Sequence, residues 1–380
     1  MNAGSRLRFF WKDAHPCRGF ASGVSLHSHT SSSQELLDFI PRIVRRIPLL
    51  DPLERAALRK YQQVHGSELD YRQIWWTPPL TAVEAYALER RQIEGLGLRP
   101  MISLSDHDTI EGVWKLQSME STRDALVSVE WSVPMPESSV LHLGVHNIPA
   151  AHAQATMAAL SDFTANPDNV RLRDILAMLN SWPETLVVLN HPYWDEKWVG
   201  MEKHVAMVEA FTRQYLPFLH ALELNGLRPW KENMRTVRLG LELGLPLISG
   251  GDRHGLEPNA NINLTNARTF AEFAHEIRTK RSSDVVFMPQ YRTALALRVI
   301  DTICDVLRTN PDHSLGWAQW TDRVFRRTGT GVRSLSEDWT NGVKPPAIVR
   351  LFLASIRMAD SHPIRSAMRV ALGAKEEMVW

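Results

Sequence analysis

Seven short apolar runs along this chain carry, or end in, side chains able to bind a metal ion. They are GVSLHSHT (23–30), MISLSDHDT (101–109), LVSVEWS (126–132), VLHLGVH (140–146), TLVVLNHP (185–192), ALELNG (221–226) and LPLISGGDRHG (245–255). Ligand-capable residues at the ends of successive strand-like runs point to one shared mouth, which is how a barrel of strands builds a site at its C-terminal face. The alternation within the runs agrees, because side chains of a strand face opposite sides with a period of two. Val24 and Leu26 oppose Ser25, His27 and His29; Ile102 and Leu104 oppose Ser103, Ser105 and His107; Val127 and Val129 oppose Ser128 and Glu130. His142 and His146 share one face of the fourth run, Glu223 and Asn225 one face of the sixth.

An antiparallel sheet with one wet face would alternate in the same way, so the intervening segments decide the class. Residues 79–95 have a helical apolar stripe at Leu80, Val83, Ala87 and Leu88, and Thr81 with Glu84 forms a capping-box pattern. Helical stretches also fall at 171–179, 203–219 and 234–243. Strands alternating with helices imply parallel strands joined by crossovers. The expected class is α/β, a distorted (β/α)7-type TIM-like barrel over residues 1–285. An insertion at 36–78 contains Arg42, Arg45, Arg46 and the aromatic IWWTPP, and residues 286–380 read as a C-terminal helical extension. An insertion this long above a barrel mouth is either a lid or a helical pair packed on the rim.

Composition narrows the partners. The net charge of +1 gives no basic stripe for nucleic acid. Two cysteines, Cys17 and Cys304, are too few for a disulfide framework or a cysteine-based zinc site, which favours a reducing compartment. The first residues lack the continuous apolar core of a signal peptide, and no run reaches the length of a membrane span. A cytoplasmic protein without membrane attachment is the expectation.

The candidate chemistry is that of a metal centre. His27 and His29, at i and i+2, can chelate one ion, and Asp252 with His254 repeats the spacing after a Gly-Gly turn. His107 follows its strand between two aspartates that can orient it or its loop. Glu130 on a polar strand face is a candidate carboxylate bridge between two cations. Arg228 and Arg253 are the candidate substrate contacts, because a guanidinium can bind two oxygens of an anionic group at once. His146 reads as a hydrogen-bonded neighbour of the ligands, and Asn190 as a support residue or a strand end. Histidines outside the runs, such as His204, His220 and His313, are assigned to surface or core.

Read in order, LHSHT, SLSDHDTIEG, SVEWS, LHLGV, LNHPY and GGDRHG, with ANINLTNA near 260, resemble the motifs of the PHP family, the polymerase and histidinol phosphatase superfamily of metal-dependent phosphoesterases. The resemblance implies two or three divalent ions, Mn, Fe or Zn, at the strand ends. His27, His29, Glu130 and Asp252 would hold the first, and Glu130, His142 and His191 the second. His107 and His254 would belong to the third, where Gln34 stands at a usual ligand position and Glu35 is the nearest substitute. Ser25 stands where an Asp is common, which removes a partner for a liganding histidine. The implied reaction is hydrolysis of a small phosphomonoester or phosphodiester by a metal-bound hydroxide, with His107, Asp252 and His254 as the catalytic set. The rival readings are a hydrolase of another bond, a nuclease, and a degenerate barrel acting as a non-catalytic binding module.

Overall fold

The computed structural model of the chain describes residues 4–46, 51–66, 68–329, 331–339 and 345–373. The parts of the expected insertion at 47–50 and 67, and of the expected extension at 330, 340–344 and 374–380, lie outside the described residues. The chain divides into two compact units, one of Met1–Ser33 with Leu80–Leu295 and one of Gln34–Pro79 with Ala296–Glu377.

All seven runs become strands of the first unit. Its strands are β1 (Gly4–Phe9), β2 (Ser22–Leu26), β3 (Arg99–Ser103), β4 (Val129–Met135), β5 (Ser139–His146), β6 (Leu186–Leu189), β7 (Ala221–Asn225), β8 (Leu247–Gly250), β9 (Asn261–Thr265) and β10 (Ser282–Phe287). They form two five-stranded mixed sheets, in the orders β1-β10-β9-β2-β3 and β8-β7-β6-β5-β4.

The α/β class holds, but the expected TIM-like barrel does not, because neither sheet closes. Four of the eight pairings are antiparallel: β4 with β5, β5 with β6, and β9 with both β2 and β10. Only Pro136–Ser138 separate β4 from β5. A parallel crossover needs a dozen or more residues, so this pair can only be a hairpin. Between the sheets the strand ladders are reduced to two isolated bridges, Ser28 to Arg253 and His107 to Glu130, with the Gly251 and Asp252 N–H groups also donating to Leu26 O and His27 O. The ladders stop there because His27, Asp108 and Asp252 have φ of 62°, 51° and 52°, left-handed backbone that turns the chain out of the strand direction.

Both faces of the strands are packed. Val24, Leu26, Leu186, Val188, Ala221 and Ile248 bury against Phe270, Phe273 and Ile277 in one apolar cluster. Val187, Leu189, Leu222, Leu224 and Leu247 belong to a second and larger one. Near-continuous apolar runs suit strands covered on both sides. Helix Ala82–Gly95 carries the expected capping box, with the Thr81 hydroxyl accepting the Glu84 N–H and the Glu84 carboxylate accepting the Thr81 N–H.

The second unit is not purely helical. It contains a four-stranded sheet in the order Gly331–Ser334, Val324–Thr328, Ile74–Trp76, Glu35–Leu36, with every pair antiparallel. Buried Arg323 closes off backbone carbonyls of Val306, Arg308 and Trp317, and Arg326 pairs with Asp338. Among the described residues no helix is long and apolar enough to cross a membrane.

His220, just before β7, gives the first unit a pH dependence. Its Nδ1 accepts the Val187 N–H at 2.8 Å and its Nε2 faces Asn180 Oδ1 at 2.9 Å, which requires the neutral ring. Burial, aided by the charges of Arg278 and Arg281, lowers its pKa to about 3. A histidine depressed in this way stabilises the fold above its unfolded value near 6.5 and loses that contribution as pH falls toward the folded value. Lowering the pH from 7 to 5 is expected to cost about 2 kcal/mol through this residue. Urea unfolding at both pH values should show that component missing in His220→Gln.

Candidate metal centre

Glu130, the second residue of β4, is completely buried. Five imidazoles surround its carboxylate. On the Oε2 side His27 Nε2 lies at 2.8 Å, His29 Nε2 at 3.2 Å and His107 Nδ1 at 3.4 Å. On the Oε1 side His191 Nε2 lies at 3.1 Å and His142 Nδ1 at 3.5 Å, and the Asn190 amide donates at 2.9 Å. Asp252 stands beside the same group, its Oδ1 3.5 Å from both His29 Nε2 and His254 Nδ1 and 3.8 Å from His27 Nε2. His107 and His254 stack on His29 with ring centroids at 4.7 and 4.2 Å. All eight residues expected to be ligands therefore come together.

The local backbone explains how. His27 and His29 lie past the end of β2, where strict alternation would no longer govern them, and the left-handed His27 re-aims the chain so that both Nε2 atoms face each other at 3.1 Å. His191, with φ of 25°, turns out of β6 in the same manner. Asp106 accepts the Thr30 N–H and hydroxyl, which ties the loop after β3 to the loop after β2. Ser33 joins His29 to His107, with its hydroxyl 3.4 Å from His29 Nδ1 and accepting the His107 N–H.

The electrostatics are those of ionised carboxylates held away from water. Burial would raise the Glu130 pKa, but the charges of His27, His107 and His142 and the His191 hydrogen bond hold it well below the usual carboxylate range. For Asp252 burial is likewise overcome, chiefly by Arg228, and its pKa is also well below normal. Burial alone would depress His27; Glu130 and Glu223 reverse this and raise it well above its ordinary value. His27 thus stands between two carboxylates, with Nε2 2.8 Å from Glu130 Oε2 and Nδ1 2.7 Å from Glu223 Oε2.

The donor set fits divalent ions. Glu130 Oε2 is a buried oxygen whose neighbouring nitrogens do not meet it in hydrogen-bond geometry, while imidazole nitrogens and carboxylate oxygens converge around it. His27, His29 and Glu130 form one group, and His107, Glu130 and His142 another, whose candidate ligand atoms all lie within 4.8 Å of one another. Imidazole with carboxylate suits Zn, Fe or Mn.

Other expected residues take distinct places. Arg228 donates to Asp252 Oδ2 at 2.9 Å and lies over the Trp194 ring at 3.8 Å, at the edge of the centre. Arg253 is buried, and each of its guanidinium nitrogens donates within the protein, to Glu89, Gly255 O and His29 O, which ties it to the fold. His146 is bonded to Ser103 at 2.8 Å; burial and the charge of His27 lower its pKa to about 3, so it is a neutral neighbour. The partner that Ser25 does not offer His27 is Glu223, whose Oε2 is 2.7 Å from His27 Nδ1. Ser25 instead bonds Glu89 and Asn259. Gln34 and Glu35 belong to the second unit, where Glu35 opens a strand.

Two residues were missed from the sequence. Glu89 lies on the buried stripe of its helix with Ala82, Ala85 and Ile93, a spacing that marks a core-facing position even when the residue is acidic. Glu196 lies in the loop after β6, with Oε2 3.3 Å from His142 Nε2, and nothing periodic in a loop announces such a contact. Burial would raise the Glu196 pKa, but His142 and Lys197 bring it below normal.

Gly250 keeps the Glu223 contact open. A Cβ there would come 2.1 Å from Glu223 Cδ, and Glu223 is itself buried and bonded to His27 and Asn225. Gly250→Ala is expected to cost on the order of 1–3 kcal/mol through overpacking. It should also weaken metal binding by roughly 10–100-fold through loss of the carboxylate behind His27. Calorimetric metal titration beside thermal unfolding would separate the two effects.

No family model matches the sequence, and no curated protein matches it. Among solved structures, a protein of Bifidobacterium adolescentis named for an inferred metal-dependent phosphoesterase activity is similar at a TM-score of 0.32 and 14% identity, over 54% of this chain and 92% of that one. A likeness of that size carries no argument about this chain, and the functional reading stands on the site itself.

Proposed function

We propose that this protein is a divalent-metal-dependent hydrolase of phosphate esters, acting on a small phosphomonoester or phosphodiester. The observation that carries the reading is the division of labour at Glu130: one oxygen faces His27 and His29, the other faces His142 and His191. A single carboxylate presented to two sets of imidazoles is the arrangement that holds two cations side by side. Bound there, such ions supply Lewis acidity toward a phosphoryl oxygen and lower the pKa of water toward neutrality.

The protein supplies the rest. Glu130 and Asp252 offer two negative charges to the ions, which leaves a positive surplus that suits an anionic substrate. Arg228, held between Asp252 and the face of Trp194, is in this reading the side chain that receives a phosphate oxygen. His107 and His254 are the most open members of the cluster, 18% and 14% exposed against 1% for His27 and 0% for His29. Either can deliver a proton to the leaving oxygen where it is not itself a ligand. The near-neutral chain favours a small phosphorylated substrate over nucleic acid.

The reading is tested with a panel of phosphoesters assayed before chelation, after chelation, and after return of Mn(II), Fe(II) or Zn(II). Activity should vanish with the metal and return with it. Glu130→Ala should lose about 10³-fold, the rate equivalent of several kcal/mol of transition-state stabilisation. Arg228→Lys should lose about tenfold or more in kcat/KM, because an ammonium cannot reproduce the planar fork. A chain that binds metal but turns over no phosphoester in any metal form would overturn the reaction and favour a binding module.

A further inference from the structure

The chemistry above leaves Glu196 without a role. Its Oε2 is 3.3 Å from His142 Nε2, its Oε1 is 2.8 Å from Lys197 Nζ, and its side chain is 31% exposed. His142 turns its other nitrogen, Nδ1, to Glu130 Oε1 at 3.5 Å. Lys197, Glu196, His142 and Glu130 thus stand in a row.

A second row reaches the other oxygen of the same carboxylate. Asn225 donates to Glu223 Oε1 at 2.5 Å, Glu223 Oε2 meets His27 Nδ1 at 2.7 Å, and His27 Nε2 meets Glu130 Oε2 at 2.8 Å. An imidazole binds a metal only through a nitrogen that carries no proton. A carboxylate at the opposite nitrogen keeps the proton there and makes the ligand nitrogen more basic. The rows differ in setting, because Glu223 is buried and bonded to a neutral amide, whereas Glu196 is one-third open and shared with a lysine.

We propose that Glu196 is a positioning residue for the metal centre: it holds the Nε2 proton of His142 so that Nδ1 faces a divalent ion on the Oε1 side of Glu130, and this ion is the more weakly held of two. The inference rests on the metal-dependent reading above but not on which ester, if any, is cleaved. It assigns the Oε2 side, backed by Glu223, to the tightly held ion.

The test is calorimetric titration of Mn(II) into the full chain after chelator stripping, with thermal unfolding of the metal-free protein in parallel. The wild type should bind in two classes. Glu196→Gln should weaken only the weaker class, by roughly 10–100-fold, and leave the metal-free unfolding temperature unchanged. Glu223→Gln should act on the tight class instead. In a His142→Ala background, Glu196→Gln should have no further effect, because its influence passes through that ring.

The proposal is overturned if Glu196→Gln leaves both classes unchanged, or weakens both together with the metal-free fold, or still acts when His142 is absent. A single class of equal sites would also overturn it. A wild type that binds no Mn(II) would remove this inference and the metal reading together. Two classes with the expected shifts, in a chain that hydrolyses no phosphoester, would retire the reaction and leave this assignment standing.

Discussion

The burial of the Glu130 carboxylate is the constraint on which the rest of the centre depends. A carboxylate taken wholly out of water costs several kcal/mol unless positive charge or a metal compensates it. Here the compensation comes from residues far apart in sequence: His27 after β2, His107 after β3, His142 within β5 and His191 after β6. Each must arrive with its ring turned inward, so one buried acid fixes the relative placement of four chain segments. The supporting residues follow from the same demand. Glu223 backs His27, Asp106 and Ser33 anchor the two loops that carry histidines, and the Glu89–Arg253 pair braces the segment between Asp252 and His254.

The open sheets and the metal centre have a common cause. A continuous barrel would hydrogen-bond β2 to β8 and β3 to β4 along their lengths. Instead each pair forms one isolated bridge and no ladder, beside His27, Asp108 and Asp252, where the backbone is left-handed. Non-glycine residues in that region cost on the order of 1–3 kcal/mol each, and they persist where the surroundings over-determine them. Strand pairing is given up at the places where side chains must swing into the cluster.

The seven strands and the ligand set were legible because both leave a pattern in the chain. Apolar runs mark β2 through β8, and most of the ligands fall just past their ends, while Glu130 and His142 lie within their strands on the polar side of the alternation. Closure of a barrel was not legible, since alternation does not distinguish parallel from antiparallel neighbours; only the short link from Met135 to Ser139 carried a sign of the hairpin. Arg253 read as a substrate contact because it sits between Asp252 and His254, whereas its partner Glu89 is 164 residues away. The strands Val324–Thr328 and Gly331–Ser334 lie in a region that reads as helical from the apolar repeats on either side of them. Glu196 was invisible for the converse reason, a loop residue whose role is set by its neighbours in space.

The most direct measurement is the electron paramagnetic resonance spectrum of the stripped protein reloaded with two equivalents of Mn(II). A carboxylate held between two ions brings them to within about 4 Å of each other, close enough for their spins to couple. The multiline signal of an exchange-coupled pair is expected, replaced in Glu130→Ala by the six-line pattern of isolated ions. A six-line pattern from the wild type, unchanged by that substitution, would contradict the claim that Glu130 holds two metals together.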